Sequence, residues 1–228
     1  MSETELFAET PGRLGIDIWA DVMCPFCYLG DTRLEKAIQQ FEHGPQVDVR
    51  YHSFLLMPEL DDQPTDLADL LSTAHGMPRE RAIALNDGLA GQGRELGLDL
   101  RFDIAQAVNT TAAHRLIHFA AANGKQRAMV RRLFKAYFTD GLNIADQQTL
   151  VDLAADAGLD PGAAADSLQS EDLSAEVDLD LRYARELEIT AVPFFVLGGK
   201  YAISGAQPVE VFAEALRTAW DEVVDPAG

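Results

Sequence analysis

Apolar residues along this chain follow two periods, and the places where one gives way to the other outline its elements. Gly15 to Ala20 (GIDIWA) is apolar and β-branched enough for a buried strand. Tyr28 to Glu42 then repeats apolar residues at Leu34, Ala37, Ile38 and Phe41, the spacing of one helix face. Gly44-Pro45 forces a break. Val47 to Phe54 sets Val47, Val49 and Tyr51 against Asp48, Arg50 and His52, an alternation that predicts a second strand. Strand, helix and strand joined over this length imply a right-handed parallel crossover. Leu55 to Gln63 reads as a loop leaving that layer.

From about Pro64 to Leu187 helix signals run almost continuously, with no convincing strand. Asp66 is placed to cap a helix bearing Leu67, Leu70 and Leu71, Pro78 opens one bearing Leu85, Leu89 and Leu96, and Thr110 or Thr111 precedes Ala113, Leu116 and Ile117. Arg127 to Thr139 carries Val130, Phe134 and Phe138 on one face; Asp146 caps a helix ending at Gly158, Asp160-Pro161 starts another, and the last long one begins at Ser170. Ile189 to Leu197 (ITAVPFFVL) is then a β-rich run, Gly198-Gly199 a tight turn and Tyr201 to Ile203 a further strand, which together predict a hairpin. Pro208 opens a final helix with Phe212, Leu216 and Trp220 on it. The order predicts an α/β fold in which residues 14–63 and 188–228 form one three-layer domain and 64–187 an all-helical insertion, after an acidic stretch 1–13 expected to be flexible. A helical domain fused in tandem would not leave strands on both sides.

Composition narrows the partners. A net charge of -19 over 228 residues, with a pI near 4.4, repels phosphate backbones and anionic membrane surfaces, so neither nucleic acid nor membrane is expected. Residues 1 to 13 (MSETELFAETPGR) hold no apolar run resembling a signal peptide, and no stretch reaches the roughly 18 apolar residues of a membrane helix. A cytoplasmic monomer or homodimer is the expectation.

The chemistry is concentrated at Cys24-Pro25-Phe26-Cys27, which holds both cysteines of the chain. They sit where a strand turns into a helix, and there the free N–H groups and dipole of the first helical turn stabilise a thiolate on Cys24. Pro25 suits a helix start, where its missing N–H costs nothing. Cys27, one turn further in, would lie against Cys24 as the resolving thiol. In a reducing compartment such a pair is more plausibly redox-active than structural. Zinc is the alternative: His114 and His118 share a helix face and could join the two thiols, although metal sites often use short paired spacings.

CPFC after a strand, a helical insertion, and Val192-Pro193 before a hairpin together resemble the thioredoxin-like fold of the DsbA family. Asp21 to Gly30 (DVMCPFCYLG), Asn109-Thr110, Ala113-His114-Arg115-Leu116 and Ser204-Gly205-Ala206-Gln207 resemble its FrnE-like branch, which is similar to 2-hydroxychromene-2-carboxylate isomerases and kappa-class glutathione transferases. The resemblance implies a cis-proline at Pro193 that turns the Val192 backbone toward the cysteines. Two departures stand out. Phe26 occupies the position of a histidine in DsbA itself, and Ala191 the position of a glycine in many relatives. The isomerase and transferase relatives often carry serine in place of Cys24; two cysteines favour thiol–disulfide exchange.

The expected function is therefore a thiol–disulfide oxidoreductase, with Cys24 as nucleophile, Cys27 as resolving thiol, and Pro25, Phe26, Val192 and Pro193 supporting the site. A thiol or disulfide of a protein or small molecule would be the substrate. No cofactor is needed beyond the redox-active disulfide, with glutathione as a conceivable co-substrate. The alternatives are a glutathione-dependent isomerase or transferase and a zinc-binding module. Asp17, on the strand entering the site, is a candidate to accept the Cys27 proton, or else a carboxylate at a strand edge. Asn109, Thr110 and His114 are candidates for lining the cleft and contacting substrate, against capping by Thr110 and a packed or solvated His114. Arg115 could grip a carboxylate, although an exposed ion pair is the commoner fate. His43, His52 and His75 carry no functional argument.

Overall fold

The computed structural model of the protein describes residues 10–224. Of the acidic stretch 1–13, residues 1–9 lie outside the described residues, as do 225–228 at the other end. Strand β1 (Leu14–Ala20) is buried along its length except at Gly15. Helix α1 (Pro25–Gln40) starts three residues earlier than the periodicity predicts, because Pro25 takes the first helical position and Cys24 the extended N-cap conformation. Strand β2 (Val47–Ser53) returns parallel to β1 with Leu14 opposite Val47.

The segment that follows is helical apart from one short ladder, β3 (Thr65–Asp66) against β4 (Gln106–Ala107), which two-residue strands leave no periodicity to reveal. Between and after them come α2 (Leu67–His75), α3 (Arg79–Leu96), α4 (Thr111–Ala122), α5 (Gln126–Phe138), α6 (Gln147–Asp156), α7 (Pro161–Ser167) and α8 (Glu171–Glu186). The side chains of Asp66, Asp146, Asp160 and Ser170 each accept a backbone N–H three residues on, satisfying donors that a helix start leaves unpaired. No helix among the described residues is long and apolar enough to cross a membrane.

Strand β5 (Phe194–Leu197) is shorter than the run 189–197, since its pairing with β1 begins only after Pro193, which has no N–H to give. Gly198 and Gly199, at φ 56° and 62°, turn it into β6 (Tyr201–Ser204), a tight-turn conformation that side chains with a Cβ resist. Helix α9 (Val209–Ala219) closes the domain, with Phe212 edge-on to Phe195 at 4.8 Å. The sheet order is β2-β1-β5-β6, with β5 antiparallel to both neighbours.

Helix α1 crosses the start of β5 very closely. A Cβ on Gly30 would lie 3.0 Å from Pro193 Cγ and 3.1 Å from Phe195 Cζ, so the absence of a side chain sets how near the helix can come. Arg33 fastens the same helix to the loop after β6, donating to the Ala206 carbonyl at 2.5 Å. On the opposite side, Asp31 of α1 is buried and accepts hydrogen bonds from the Tyr51 hydroxyl of β2 and from Arg131 of α5.

A second polar cluster ties the sheet to the helices. Asp17 on β1 receives Arg50 through Nε and Nη2, each at 2.9 Å, and His52 Nε2 at 2.9 Å. The other ring nitrogen of His52 meets Asp180 of α8 at 2.8 Å, and Asp180 also accepts from the Ser53 backbone and from His118 of α4. Trp19 stacks on the His52 ring, with centroids 4.5 Å apart. Burial disfavours a charge on His52, but hydrogen bonds to Asp17 and Asp180 outweigh it and hold the imidazolium, with the pKa raised from 6.5 to about 9. Burial likewise opposes ionisation of Asp180, and the bonds from His118 and His52 overcome it, lowering the pKa from 3.8.

These placements give two expectations. Gly30→Ala should destabilise the protein by about 1–3 kcal/mol in urea unfolding, the cost of overpacking against a rigid proline; an unchanged midpoint would mean the helix withdraws freely. The His52 contribution is complete below its ordinary pKa of 6.5 and lost as pH rises through about 9, whereas that of Asp180 is complete above 3.8 and lost as pH falls further. Stability should thus be flat between about pH 5 and 6 and decline by up to about 3 kcal/mol toward pH 10. His52→Gln should flatten the alkaline decline, and an equally steep decline in that variant would locate the loss elsewhere.

Candidate active site

The turn from β1 into α1 is built by Asp21. Its backbone carbonyl accepts the Cys24 N–H at 3.0 Å, and its carboxylate accepts the N–H of Met23 at 3.3 Å and of Leu56 at 2.8 Å. The first of these carboxylate bonds is the local bond to residue i+2 that aspartate offers a turn. The second pins the chain leaving β2 to the same turn. Asp21 is 0 % exposed.

Cys24 follows as the N-cap residue of α1, 3 % exposed, and Cys27 lies one turn inside at 1 %. Both are free thiols. The Cys24 Sγ points away from its own helix to the Val192 carbonyl, 3.7 Å distant. The Val192–Pro193 peptide is cis, and the Pro193 carbonyl is held by the Gly205 N–H at 2.8 Å. Among the described non-glycine residues Glu188 alone has a positive φ, so Ala191 stands in for glycine without backbone strain. Pro25 is half-buried, while Phe26 is 46 % exposed.

The two sulfurs differ in environment. Burial raises the Cys27 pKa well above the ordinary thiol value, and the hydrogen bond and charge of Cys24 and the charge of Asp21 push the same way; a hydrogen bond from the Asp21 backbone opposes them. Cys27 is accordingly held as the protonated thiol.

Asp17 is not beside the cysteines in any chemical sense. Although buried, it is occupied by Arg50 and His52, so the carboxylate expected to accept the Cys27 proton serves instead to anchor β2. The carboxylate whose charge reaches Cys27 is Asp21, at the start of the stretch DVMCPFCYLG. The available signal was its place three residues ahead of Cys24, where an aspartate can close the turn with its own side chain.

Of the residues expected to line a cleft, Asn109 is used inside the fold: its Nδ2 donates to the Leu60 carbonyl and its Oδ1 accepts the Thr111 N–H. Thr110 is buried at the N-cap of α4 and makes no side-chain capping bond. His114 is only 2 % exposed, behind the cysteines, with Nε2 3.5 Å from Asp21 Oδ1. His118, its expected companion, turns to Asp180 and Ser53. Among the described residues no group of three or more His, Cys, Asp or Glu is arranged to hold a metal ion. Arg115 donates to the Leu168 carbonyl. Tyr137 of α5 also reaches the site: burial raises its pKa, and the charges of Asp21 and Cys24 add to the effect.

Comparison with known proteins agrees with this architecture. The family model described as a DSBA-like thioredoxin domain matches residues 15–217. Protein YwbO of Bacillus subtilis is 28% identical over 203 residues, covering 88% of this chain and 94% of its own. The crystal structure of a probable DsbA oxidoreductase from Streptomyces coelicolor superimposes with a TM-score of 0.88 at 37% identity, over 92% of this chain and 91% of that one. The cytosolic disulfide reductase DsbM from Pseudomonas aeruginosa, solved with GSH, shares the fold with a TM-score of 0.62 at 21% identity, over 90% and 98% of the two chains. The chain belongs to the DsbA-like thioredoxin domain family.

Proposed function

We propose that the protein is a thiol–disulfide oxidoreductase in which Cys24 exchanges with the substrate and Cys27 resolves. The observation that carries this reading is the asymmetry of the pair. Both are buried, but Cys27 lies within α1 and is held protonated, whereas Cys24 stands at the N-cap position and faces the Val192 carbonyl across 3.7 Å. That carbonyl lies in the bend just ahead of β5, where an incoming peptide or peptide-like thiol can bring its own backbone beside the reacting sulfur.

In the reducing direction the Cys24 thiolate attacks one sulfur of a substrate disulfide, and the other sulfur leaves as a thiolate that is protonated by solvent. Cys27 then gives up its proton and attacks Cys24, so the mixed disulfide opens, the second substrate thiolate leaves, and Cys24–Cys27 closes. Two electrons pass to the substrate. In the oxidising direction the same steps run backward.

Access favours a slender substrate. Cys24 offers 3 % of its surface, which suits a sulfur carried on a narrow arm, such as glutathione or an exposed protein disulfide, over one set in a flat surface. The presence of GSH in the DsbM structure supports a small thiol as co-substrate. Phe26, two residues after Cys24 and exposed, offers an apolar surface to such a substrate.

Substitution separates the two roles. Cys24→Ser should abolish exchange with glutathione disulfide, a loss of at least about a thousandfold because serine is not a competent thiolate. Cys27→Ser should form the mixed disulfide and accumulate it, visible as a glutathione adduct by mass spectrometry. Full exchange activity in Cys24→Ser would refute the assignment, and glutathione-dependent turnover of an organic substrate by that variant would move it to an isomerase or transferase.

A further inference from the structure

The chemistry above requires Cys27 to lose a proton while it is buried and while its surroundings hold that proton in place. A group inside that takes it spares the proton a passage to solvent. Asp17 is saturated by Arg50 and His52, and Asp31, one turn further along α1, is bound by Tyr51 and Arg131. Asp21 differs from both. Its carboxylate accepts only two backbone N–H bonds, neither from a charged group, and it is fully enclosed.

The helical segment supplies what stands next to it. His114 projects from α4 with its Nε2 3.5 Å from Asp21 Oδ1, and this nitrogen is buried without a hydrogen-bond partner. The Tyr137 hydroxyl from α5 is likewise buried and unpartnered. Unsatisfied polar atoms are uncommon in a protein interior, and two of them gathered near one buried carboxylate and a dithiol mark a place where protons change hands.

We propose that His114 is a positioning residue for disulfide exchange: paired with Asp21, it stores the proton that Cys27 releases when that thiol attacks the mixed disulfide. This rests on the oxidoreductase reading above. The Cys27 S–H bond breaks and its proton passes to the Asp21 carboxylate, then to His114 Nε2, leaving a carboxylate–imidazolium pair of zero net charge. The electron pair left on Cys27 forms the new bond to Cys24, and the substrate thiolate departs with the pair from the broken one. When the disulfide is reopened by a thiol, the stored proton returns to Cys27. A buried site is thereby spared a proton crossing its wall in each half-cycle, and the pair passes from one net negative charge to none as it takes the proton up.

Most other groups around the pair are committed elsewhere, the exceptions being the unpartnered hydroxyls of Tyr137 and Tyr183. From β2, Tyr51 and His52 line the same small cavity as His114; His52 is committed to Asp17 and Asp180, and Tyr51 to Asp31. From α5, the charges around Tyr137 and its burial keep it a neutral phenol. From α8, Asp180 is held by His52 and His118, while Tyr183 is buried. The buried residues of α6 and α7 are Leu150, Leu153, Ala154, Ala164 and Ser167, none of which titrates near neutrality.

The test is a rapid-mixing experiment with glutathione disulfide as probe, following mixed-disulfide formation and its resolution separately from pH 6 to 9. His114→Gln keeps a polar side chain of similar reach but cannot carry the proton. Resolution should slow about 10-fold to 100-fold at neutral pH, with the deficit shrinking as pH rises and solvent base takes over, while the formation step changes far less. Asp21→Asn should show the same altered pH profile, and the double variant should be no slower than the worse single one. A wild-type rate and pH profile in His114→Gln, or in Asp21→Asn if the first variant does not fold, would overturn the inference. Recovery by glutamine of a defect seen in His114→Leu would overturn it too, since it would reduce the histidine to a structural role. If wild-type protein shows no exchange at all, the oxidoreductase reading falls first and this one with it.

Discussion

The close approach of helix α1 to the Val192–Pro193 turn is the constraint on which the rest of the site depends. Cys24 can face the Val192 carbonyl only because Gly30, two turns along the same helix, lets Pro193 and Phe195 come within van der Waals range. Arg33 closes the contact from the far side of the turn through Ala206. One helix therefore carries both sulfurs, the residue that permits their docking, and the residue that latches it. The reactive edge is a property of the helix–turn junction and not of the CPFC tetrapeptide alone.

Two carboxylates four residues apart on one strand and its turn have opposite fates. Asp17 points toward β2 and α8, where Arg50 and His52 neutralise it and make it a mechanical joint between sheet and helices. Asp21 closes the turn before α1 and meets two backbone amides, with the His114 ring 3.5 Å away. Charge compensation decides the difference. One carboxylate is matched by charged partners and the other only by backbone N–H groups, although both are buried.

The inserted helices bring polar side chains up to the sheet and to the turn before α1. They reach the sheet through buried polar contacts, from His118 and Asp180 at β2 and from Arg131 at Asp31, as well as through apolar packing. Such contacts are geometrically demanding, because a misplaced partner leaves a charge buried and unpaired. They orient α4 and α5 so that His114 and Tyr137 arrive behind the dithiol.

Period and punctuation in the sequence determined the α/β order, the parallel crossover, the hairpin at Gly198-Gly199, and the helix starts at Asp66, Asp146, Asp160 and Ser170. These are local matters, set by residue spacing, by side chains that cap the helix they precede, and by glycines that tolerate positive φ. The cysteine pair was legible for the same reason, since strand, turn and helix start are contiguous in the chain. The two-residue ladder of β3 with β4 was not, being too short for any alternation to register. Nor were the fates of Asp17, Asp21 and His114. Each depends on which partner, tens of residues away, arrives at a buried carboxylate, and burial changes the meaning of a charge in a way no local pattern records. Tertiary structure alone decided that Asp17 would be locked by Arg50 and His52, and that His114, 93 positions after Asp21 in the chain, would stand 3.5 Å from it.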